Sequence, residues 1–319
     1  MSVLVGIDEA GYGPILGPLV VSSSAFWLPR HLLMADLWQV LGKSVAKRRK
    51  RLAGRLLIAD SKKAYSKSMG IKHLERTVLV CLRCLDKKPA TLIELLALLC
   101  PNCLEQLNDY PWYQNAACHS VLTDEADIGI ASAVLRNDLV SNDIKLLELR
   151  SCCLEVAYYN KMVGRVKNKA SVLFTATSQL IERAYDNFAS DDLQIIIDRQ
   201  GGRVHYRKDL LRMFPGMELT ILCEKPAVSS YQMRAGGKGM RLHFVVGADE
   251  EVLPVSLASM VSKYLRQLLM SCLNHYFISF CSTLKPTAGY WKDGLRFIED
   301  LKKSVPLVQY DSEQLIRCR

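Results

Sequence analysis

Val5–Pro18 reads VGIDEAGYGPILGP, and this stretch decides how the rest of the chain is read. The apolar run Val3, Leu4, Val5 and Ile7 predicts a short buried strand that ends on two adjacent carboxylates, Asp8 and Glu9. Gly11, Gly13 and Gly17 then alternate with Pro14 and Pro18, which enforces a tight non-helical path with exposed backbone N–H groups. Neighbouring side chains of a regular strand point to opposite faces, so Asp8 and Glu9 share one site only if the strand stops or bends there. A carboxylate pair beside a glycine turn suits Mg²⁺ or Mn²⁺, hard cations that prefer oxygen ligands. The turn itself can meet a phosphate or a sugar hydroxyl through its N–H groups. By itself, an Asp-Glu pair before a glycine reads more readily as a strand-ending turn with solvated acids.

The 319 residues, half of them apolar, suffice for one large core or two modest ones. A net charge of +10 favours a polyanionic partner. That charge is unevenly spread. From Glu105 to Asp143, seven acids face one base, Arg136, so the remainder carries +16 and is where a nucleic-acid face belongs. Eleven cysteines, an odd number, with no signal-peptide pattern fit reduced thiols and a cytoplasmic protein. The longest aliphatic run, Leu92–Cys100, contains Glu94 and is too short to span a bilayer, so no membrane partner is expected.

Three further stretches carry chemistry. LLIADSKK at Leu56–Lys63 reads as a strand ending in Asp60-Ser61-Lys62-Lys63, just after the basic run Lys47–Arg51. Serine and lysine at a strand end can hold backbone phosphates, although Asp-Ser is also a common helix cap. LQIIIDRQGG at Leu193–Gly202 reads as a doubly buried strand with Asp198 at its carboxyl end, where open α/β sheets carry their sites. Val245–Met270 supplies Asp249 and then a helix bearing Ser259, Lys263 and Arg266 within two turns, one surface able to reach several phosphates. Helices are also predicted over Leu32–Leu41, Ile71–Leu85, Leu92–Leu99, Gly129–Leu139, Asn168–Ala189 and Gly294–Lys303. Lys145–Tyr159 leans to strand, and Gln232–Val246 reads as a hairpin. Cys81-x2-Cys84 and Cys100-x2-Cys103 have the pair spacing of a zinc ribbon, with fifteen residues between them. Against zinc, Cys81-Leu-Arg-Cys84 lies in an apolar helical run with no Gly or Pro to form a knuckle, which favours core or surface thiols.

The opening stretch resembles the first strand of the ribonuclease HII (type 2 ribonuclease H) family, which reads close to GIDEAGRGPLAGPVV. Within Gly6–Pro14 the one departure is Tyr12, where that family has arginine. Asp60–Lys63 is similar to the family's DSKKL motif, and Asp198 to its third metal carboxylate, though the glycines here come later, at Gly201 and Gly202. Ser259, Lys263, Arg266 and Met270 keep the family's spacing from Asp249, which selects Asp249 over Glu250 as the fourth ligand. Tyr290 matches a late tyrosine that stacks on a sugar in that family.

What the resemblance implies is a divergent member with a ribonuclease-H-like α/β fold, a mixed central sheet flanked by helices. The catalytic core would comprise 1–85 and 144–280, with a mostly helical insertion at 86–143 and a C-terminal helical extension at 281–319. It implies an endonuclease that hydrolyses the RNA strand of RNA–DNA hybrids as a monomer, with Asp8, Glu9, Asp198 and Asp249 as catalytic metal ligands for two Mg²⁺ or Mn²⁺ ions. Gly11, Tyr12, Gly13, Ser61, Lys62, Ser259, Lys263, Arg266 and Tyr290 would contact the nucleic acid. A related two-metal nuclease on another structured DNA or RNA, or a catalytically silent binder of this fold, stays open. Tyr12 bears on whether a single ribonucleotide or a run of them is preferred.

Overall fold

The computed structural model describes residues 2–65, 69–116, 119–121, 124–189, 192–304 and 310–318. Its strands are β1 (Ser2–Ala10), β2 (Leu19–Leu28), β3 (Val45–Ala46), β4 (Leu56–Leu57), β5 (Lys145–Leu154), β6 (Asp192–Asp198), β7 (Glu218–Glu224), β8 (Val228–Ala235) and β9 (Lys238–Val245). Seven of them form one sheet in the order β5-β2-β1-β6-β9-β8-β7, and β3 pairs with β4 alone. β2 runs antiparallel to both β1 and β5, whereas β6 and β9 lie parallel to neighbours on the β1 side. This is an α/β arrangement, a mixed sheet flanked by helices, that ends in the antiparallel β8 and β7.

Alternation along β1 builds two cores. Val3, Val5 and Ile7 join the Lys169–Phe188 helix on one face. Leu4 and Val20 join the Leu253–Phe280 helix on the other. That 28-residue helix rests directly on β1 at Gly6, where a Cβ would lie 2.2 Å from the Pro254 carbonyl carbon. Ser24 of β2 donates to the Pro254 carbonyl (2.7 Å), so a short polar side chain secures the same contact.

Residues 86–143 share the second of these cores. Trp112 packs on Phe277 (5.8 Å between ring centroids) and Tyr276 (6.2 Å) of the long helix. Buried Asp138 accepts from the Ser44 N–H (2.9 Å) and hydroxyl (2.7 Å), tying the Glu125–Ser141 helix to the segment before β3. Part of the acidity of this segment is satisfied within the fold: Asp127 pairs with Arg76 and Glu125 with Arg83, both on the Lys72–Cys84 helix.

Three elements differ from expectation. The predicted Leu32–Leu41 helix reduces to one turn, Leu37–Val40, capped by Asp36. β5 stops at Leu154, and Tyr158-Tyr159-Asn160 lie in a helix, Val156–Val166, whose Val156, Tyr159 and Val163 are buried at helical spacing. Asp60 caps the short Ser61–Ala64 turn through the Lys62 N–H (2.9 Å), so the DSKK segment opens a helix instead of prolonging a strand. Among the described residues, no helix is long and apolar enough to cross a membrane.

Candidate active site

β1 does not end at its two acids. It stays paired with β2 through Glu9↔Val21 and Ala10↔Val20, while its pairing with parallel β6 ends at Ile7↔Ile197. Asp8 and Glu9 therefore keep opposite faces of the strand, and both flank the gap opened where β6 stops, at Asp198. The expectation of a strand stopping at the acids is corrected in this sense: the neighbouring strand ends, not β1. β9 then turns through Val246 and Gly247, at φ +66°, into a single helical turn, Ala248–Glu251, which delivers Asp249. The Ala248 N–H donates to the Asp198 carboxylate (2.8 Å) and locks the two segments together.

The long helix covers this end of β1. Ser262 donates to the Asp8 carbonyl (3.0 Å), and Ser259 hydrogen-bonds both the Asp8 carboxyl and the Ser61 hydroxyl (3.1 Å). Asp8 also takes the Glu9 N–H on its own carboxylate (2.7 Å).

Electrostatics tie the four acids together. Burial, then repulsion from Glu9, Asp198 and Asp249, holds the Asp8 carboxyl well above its usual range. Burial and Asp198 push Glu9 up to about 7, and burial, Asp198 and Asp60 push Asp249 up to about 6. Burial also raises Asp198. Lys62 is the cation facing them: burial would lower its pKa, but Asp60, Asp249, Asp8 and Asp198 hold it above the ordinary value. Glu250 pairs with Lys63 (2.9 Å) and Glu251 with Lys47 (3.5 Å), which leaves Asp249 as the acid of its turn that feels Asp198.

An all-oxygen donor set with surplus negative charge fits hard divalent ions such as Mg²⁺ or Mn²⁺. Among the described residues, however, no three His, Cys, Asp or Glu side chains are drawn in far enough to form a metal-holding group as placed. The same holds for the cysteine pairs of the zinc alternative. Cys81 and Cys84 lie on the Lys72–Cys84 helix, where the Cys84 thiol meets the Ser132 carbonyl (3.6 Å). Cys100 instead takes the Cys153 N–H (3.2 Å), and Cys103 neighbours Cys100 and Cys153.

The glycine loop stands beside the acids. Gly11 has φ +95°, and a Cβ there would lie 2.6 Å from the Arg266 Nε; Gly17 has φ +76° and sits against the Met270 sulfur. Gly13 is exposed and Tyr12 half-buried, with Glu9 and Arg203 in electrostatic reach of its phenol. Lys62 is exposed, and the half-buried Lys263 has its ammonium 5.2 Å from the Tyr65 ring centroid. Burial, with Arg266 and Lys62 nearby, lowers Lys263 to about 8. Tyr290 is 49 % exposed.

Other predicted contact residues are not on the surface. Ser61, Ser259 and Arg266 are 6 %, 2 % and 1 % exposed. The i, i+4, i+7 stripe does share one face, as its spacing required, but much of that face lies against the sheet and the glycine loop. Arg266 donates through Nη2 to the Leu16 (3.0 Å) and Ala288 (3.1 Å) carbonyls, with its guanidinium 5.8 Å from the Tyr290 ring centroid, while its buried Nε and Nη1 find no acceptor among the described residues. Sequence reasoning missed Ser262 and Arg317, whose Nε reaches the Gly17 carbonyl (2.7 Å). Ser262 sits three residues past Ser259 on the same helix, a spacing that would have found it; Arg317 leaves no local signal.

No family model and no curated protein matches the chain. Among solved structures, it is similar to the RNase HII of the PCNA:RNase HII complex from Archaeoglobus fulgidus, at 15% identity and TM-score 0.48 over 99% of this chain and 94% of that one. A second is the ribonuclease H2 from Pyrococcus horikoshii OT3, at 13% identity and TM-score 0.41 over 98% of this chain and 92% of that one. A third, Bst-RNase HIII in complex with Mn²⁺, gives 12% identity and TM-score 0.41 over 93% of this chain but 62% of that one.

Proposed function

We propose that the chain is a metal-dependent endonuclease that hydrolyses the RNA strand of RNA–DNA hybrids, leaving 5′-phosphate and 3′-hydroxyl ends. The observation that carries this reading is the cluster itself: at one end of the central strands Asp198 raises the pKa of Asp8, Glu9 and Asp249, and burial raises all four, with Lys62 as the facing cation. Unit charges 4 Å apart cost about 4 kcal/mol at an effective dielectric near 20, so such a group calls for counter-ions. Two divalent ions held by these carboxylates would lower the pKa of an attacking water and neutralise charge on the scissile phosphate and the leaving 3′ oxygen. Asp198 and Asp249 are steadied for that task by the Ala248 hydrogen bond, and Asp8 by Ser259 and Ser262.

Around the acids, Lys62 and Lys263 offer charge to backbone phosphates, while Tyr290 offers an exposed ring to a sugar. The exposed Arg48, Arg49, Lys50 and Arg51 follow Lys47, which pairs with Glu251 two residues beyond Asp249. Gly11, Tyr12 and Gly13 read the ribose through backbone groups. With tyrosine at 12, the loop lacks an arginine side chain, so the choice between a single embedded ribonucleotide and a run of them turns on this residue. We further place the protein in the cytoplasm as a monomer.

The test is cleavage of an end-labelled hybrid with Mg²⁺, with Mn²⁺ and with chelator. Asp8→Asn and Asp198→Asn should each lower the rate by about a thousandfold or more, an effect of at least 4 kcal/mol on the barrier. Wild-type rates in either variant would sink the site assignment. A panel of duplexes carrying one, four or all ribonucleotides tests which is preferred.

A further inference from the structure

The glycine loop is held from beneath by two guanidiniums. Arg266 and Arg317 are 1 % and 4 % exposed. Ile316 bridges to Leu16, and the Arg317 N–H donates to the Ile15 carbonyl (2.8 Å), which lays residues 316–317 alongside the loop. From there the Arg317 side chain donates through Nε to the Gly17 carbonyl (2.7 Å) and through Nη1 to the Gly11 carbonyl. Arg266 takes the Leu16 carbonyl (3.0 Å), so three carbonyls of one short loop end on buried arginine. The Tyr159 ring backs the Arg317 guanidinium at 5.0 Å, and Glu155, itself buried, is the carboxylate in its electrostatic reach.

Peptide geometry turns this anchoring into an orientation. In a trans peptide unit the C=O and N–H point in opposite directions, and no cis bond occurs among the described residues. With the Gly11 carbonyl drawn inward to Arg317, the N–H of Tyr12 faces the other way. No acceptor among the described residues takes that N–H. It lies three residues beyond Glu9, at the position where the proposed function needs a donor to the RNA strand.

We propose that Arg317 is a positioning residue of this site: by gripping the Gly11 and Gly17 carbonyls it fixes the Gly11–Tyr12 peptide with its N–H outward, as a hydrogen-bond donor to a sugar hydroxyl of the RNA strand. The ligand half of this statement rests on the hybrid-cleavage reading; the orientation half does not. A segment about 300 residues distant in sequence is thereby part of the recognition loop. Arginine suits the task because its fork reaches two carbonyls at once, which a lysine ammonium does less well.

The test compares Arg317→Ala and Arg317→Lys with the wild-type full chain. In ¹⁵N-tyrosine-labelled protein, the Tyr12 amide signal is assigned by its loss in Tyr12→Phe. Arg317→Ala should shift or broaden that signal while leaving the Tyr231 amide in the sheet in place, and Arg317→Lys should move it part of the way. In hybrid cleavage, Arg317→Ala should raise KM about five- to tenfold, one hydrogen bond's worth, with kcat changed less than threefold. An unmoved Tyr12 amide in both variants overturns the positioning role, whatever the substrate. A moved amide with unchanged KM overturns the contact to the RNA strand. A drop in melting temperature with the Tyr12 signal and KM both unchanged marks Arg317 as structural only and also overturns the proposal. If the wild type cleaves no hybrid, the functional reading fails, and the amide signal still decides what Arg317 does. Should Arg317→Ala not fold, Arg317→Lys carries both measurements.

Discussion

Replacing Glu9 by glutamine should make the metal-free protein more stable while removing its activity. Glu9 stands in the folded chain with its pKa moved from 4.5 to about 7, by burial first and then by Asp198. A carboxyl moved that far carries on the order of 3 kcal/mol of penalty once it is ionised in the folded state. The penalty has a definite pH window. Below 4.5 the group is protonated both folded and unfolded, and nothing is lost. Between 4.5 and about 7 the folded state holds its proton longer than the unfolded chain, so stability falls as pH rises. Above 7 the full cost is present.

Glutamine keeps the shape and never ionises. With an unfolding entropy near 2.1 cal/mol/K per residue, 3 kcal/mol across this chain corresponds to about 4 °C in melting temperature. Glu9→Gln should therefore melt about 4 °C above wild type at pH 8 in chelator, and the two should coincide near pH 4. Adding Mg²⁺ or Mn²⁺ at pH 8 should raise the wild type more than the variant, since a ligand bound only to the folded state stabilises by mass action. Calorimetry across pH 4 to 8 with and without metal makes the comparison. A variant no more stable than wild type at pH 8, or a gap of the same size at pH 4, refutes the reasoning.

Two packing predictions concern what positions the site. Gly6→Ala places a Cβ 2.2 Å from the Pro254 carbonyl carbon and the Val255 nitrogen, both backbone atoms, so the long helix must lift from β1; urea unfolding should show a loss of about 3 kcal/mol, and an unchanged midpoint would contradict the contact. Asp138→Ala leaves the Ser44 N–H and hydroxyl without their buried acceptor and should cost about 2 kcal/mol, whereas a loss under 0.5 kcal/mol would mean that residues 86–143 do not brace this part of the fold.

The sheet was legible in the sequence because its central strands are written in local signals. Ile195, Ile196 and Ile197 run without a polar break, and Val3 to Ile7 and Leu19 to Val21 read the same way. The acids were legible because each follows or closes such a run. What the sequence left hidden depends on tertiary choices that have no local trace. The spacing of Ser259, Lys263 and Arg266 specifies a shared helix face, but not whether that face meets solvent or the sheet; burial beneath the glycine loop settles it for Arg266. Arg317 sits in a sequence with no motif around it, and its place beside the loop comes from tertiary contacts: the Leu16–Ile316 bridge, its own N–H on the Ile15 carbonyl, and the Asn160 side chain on the Ile316 carbonyl. Tyr159 could have been placed, since Val156, Tyr159 and Val163 keep helical spacing, yet the β-prone Leu146–Leu154 run before it pulled the reading towards strand.

Charge balance joins these parts. Four carboxylates and Lys62 leave the cluster with three net negative charges when all are ionised. Two divalent ions together with one scissile phosphate would bring three net positive charges and close the balance. Protons are the other way to close it, and the raised pKa values of Glu9 and Asp249 show the bare cluster already leaning on them near neutral pH. Metal and protons then compete for the same oxygens, because ligating carboxylates must be deprotonated. A two-metal nuclease built on this cluster should accordingly need more metal below pH 7 than above it. The burial that raises these carboxyls is the same burial that would strengthen an ion–carboxylate contact, since both follow from the low local dielectric between the central strands.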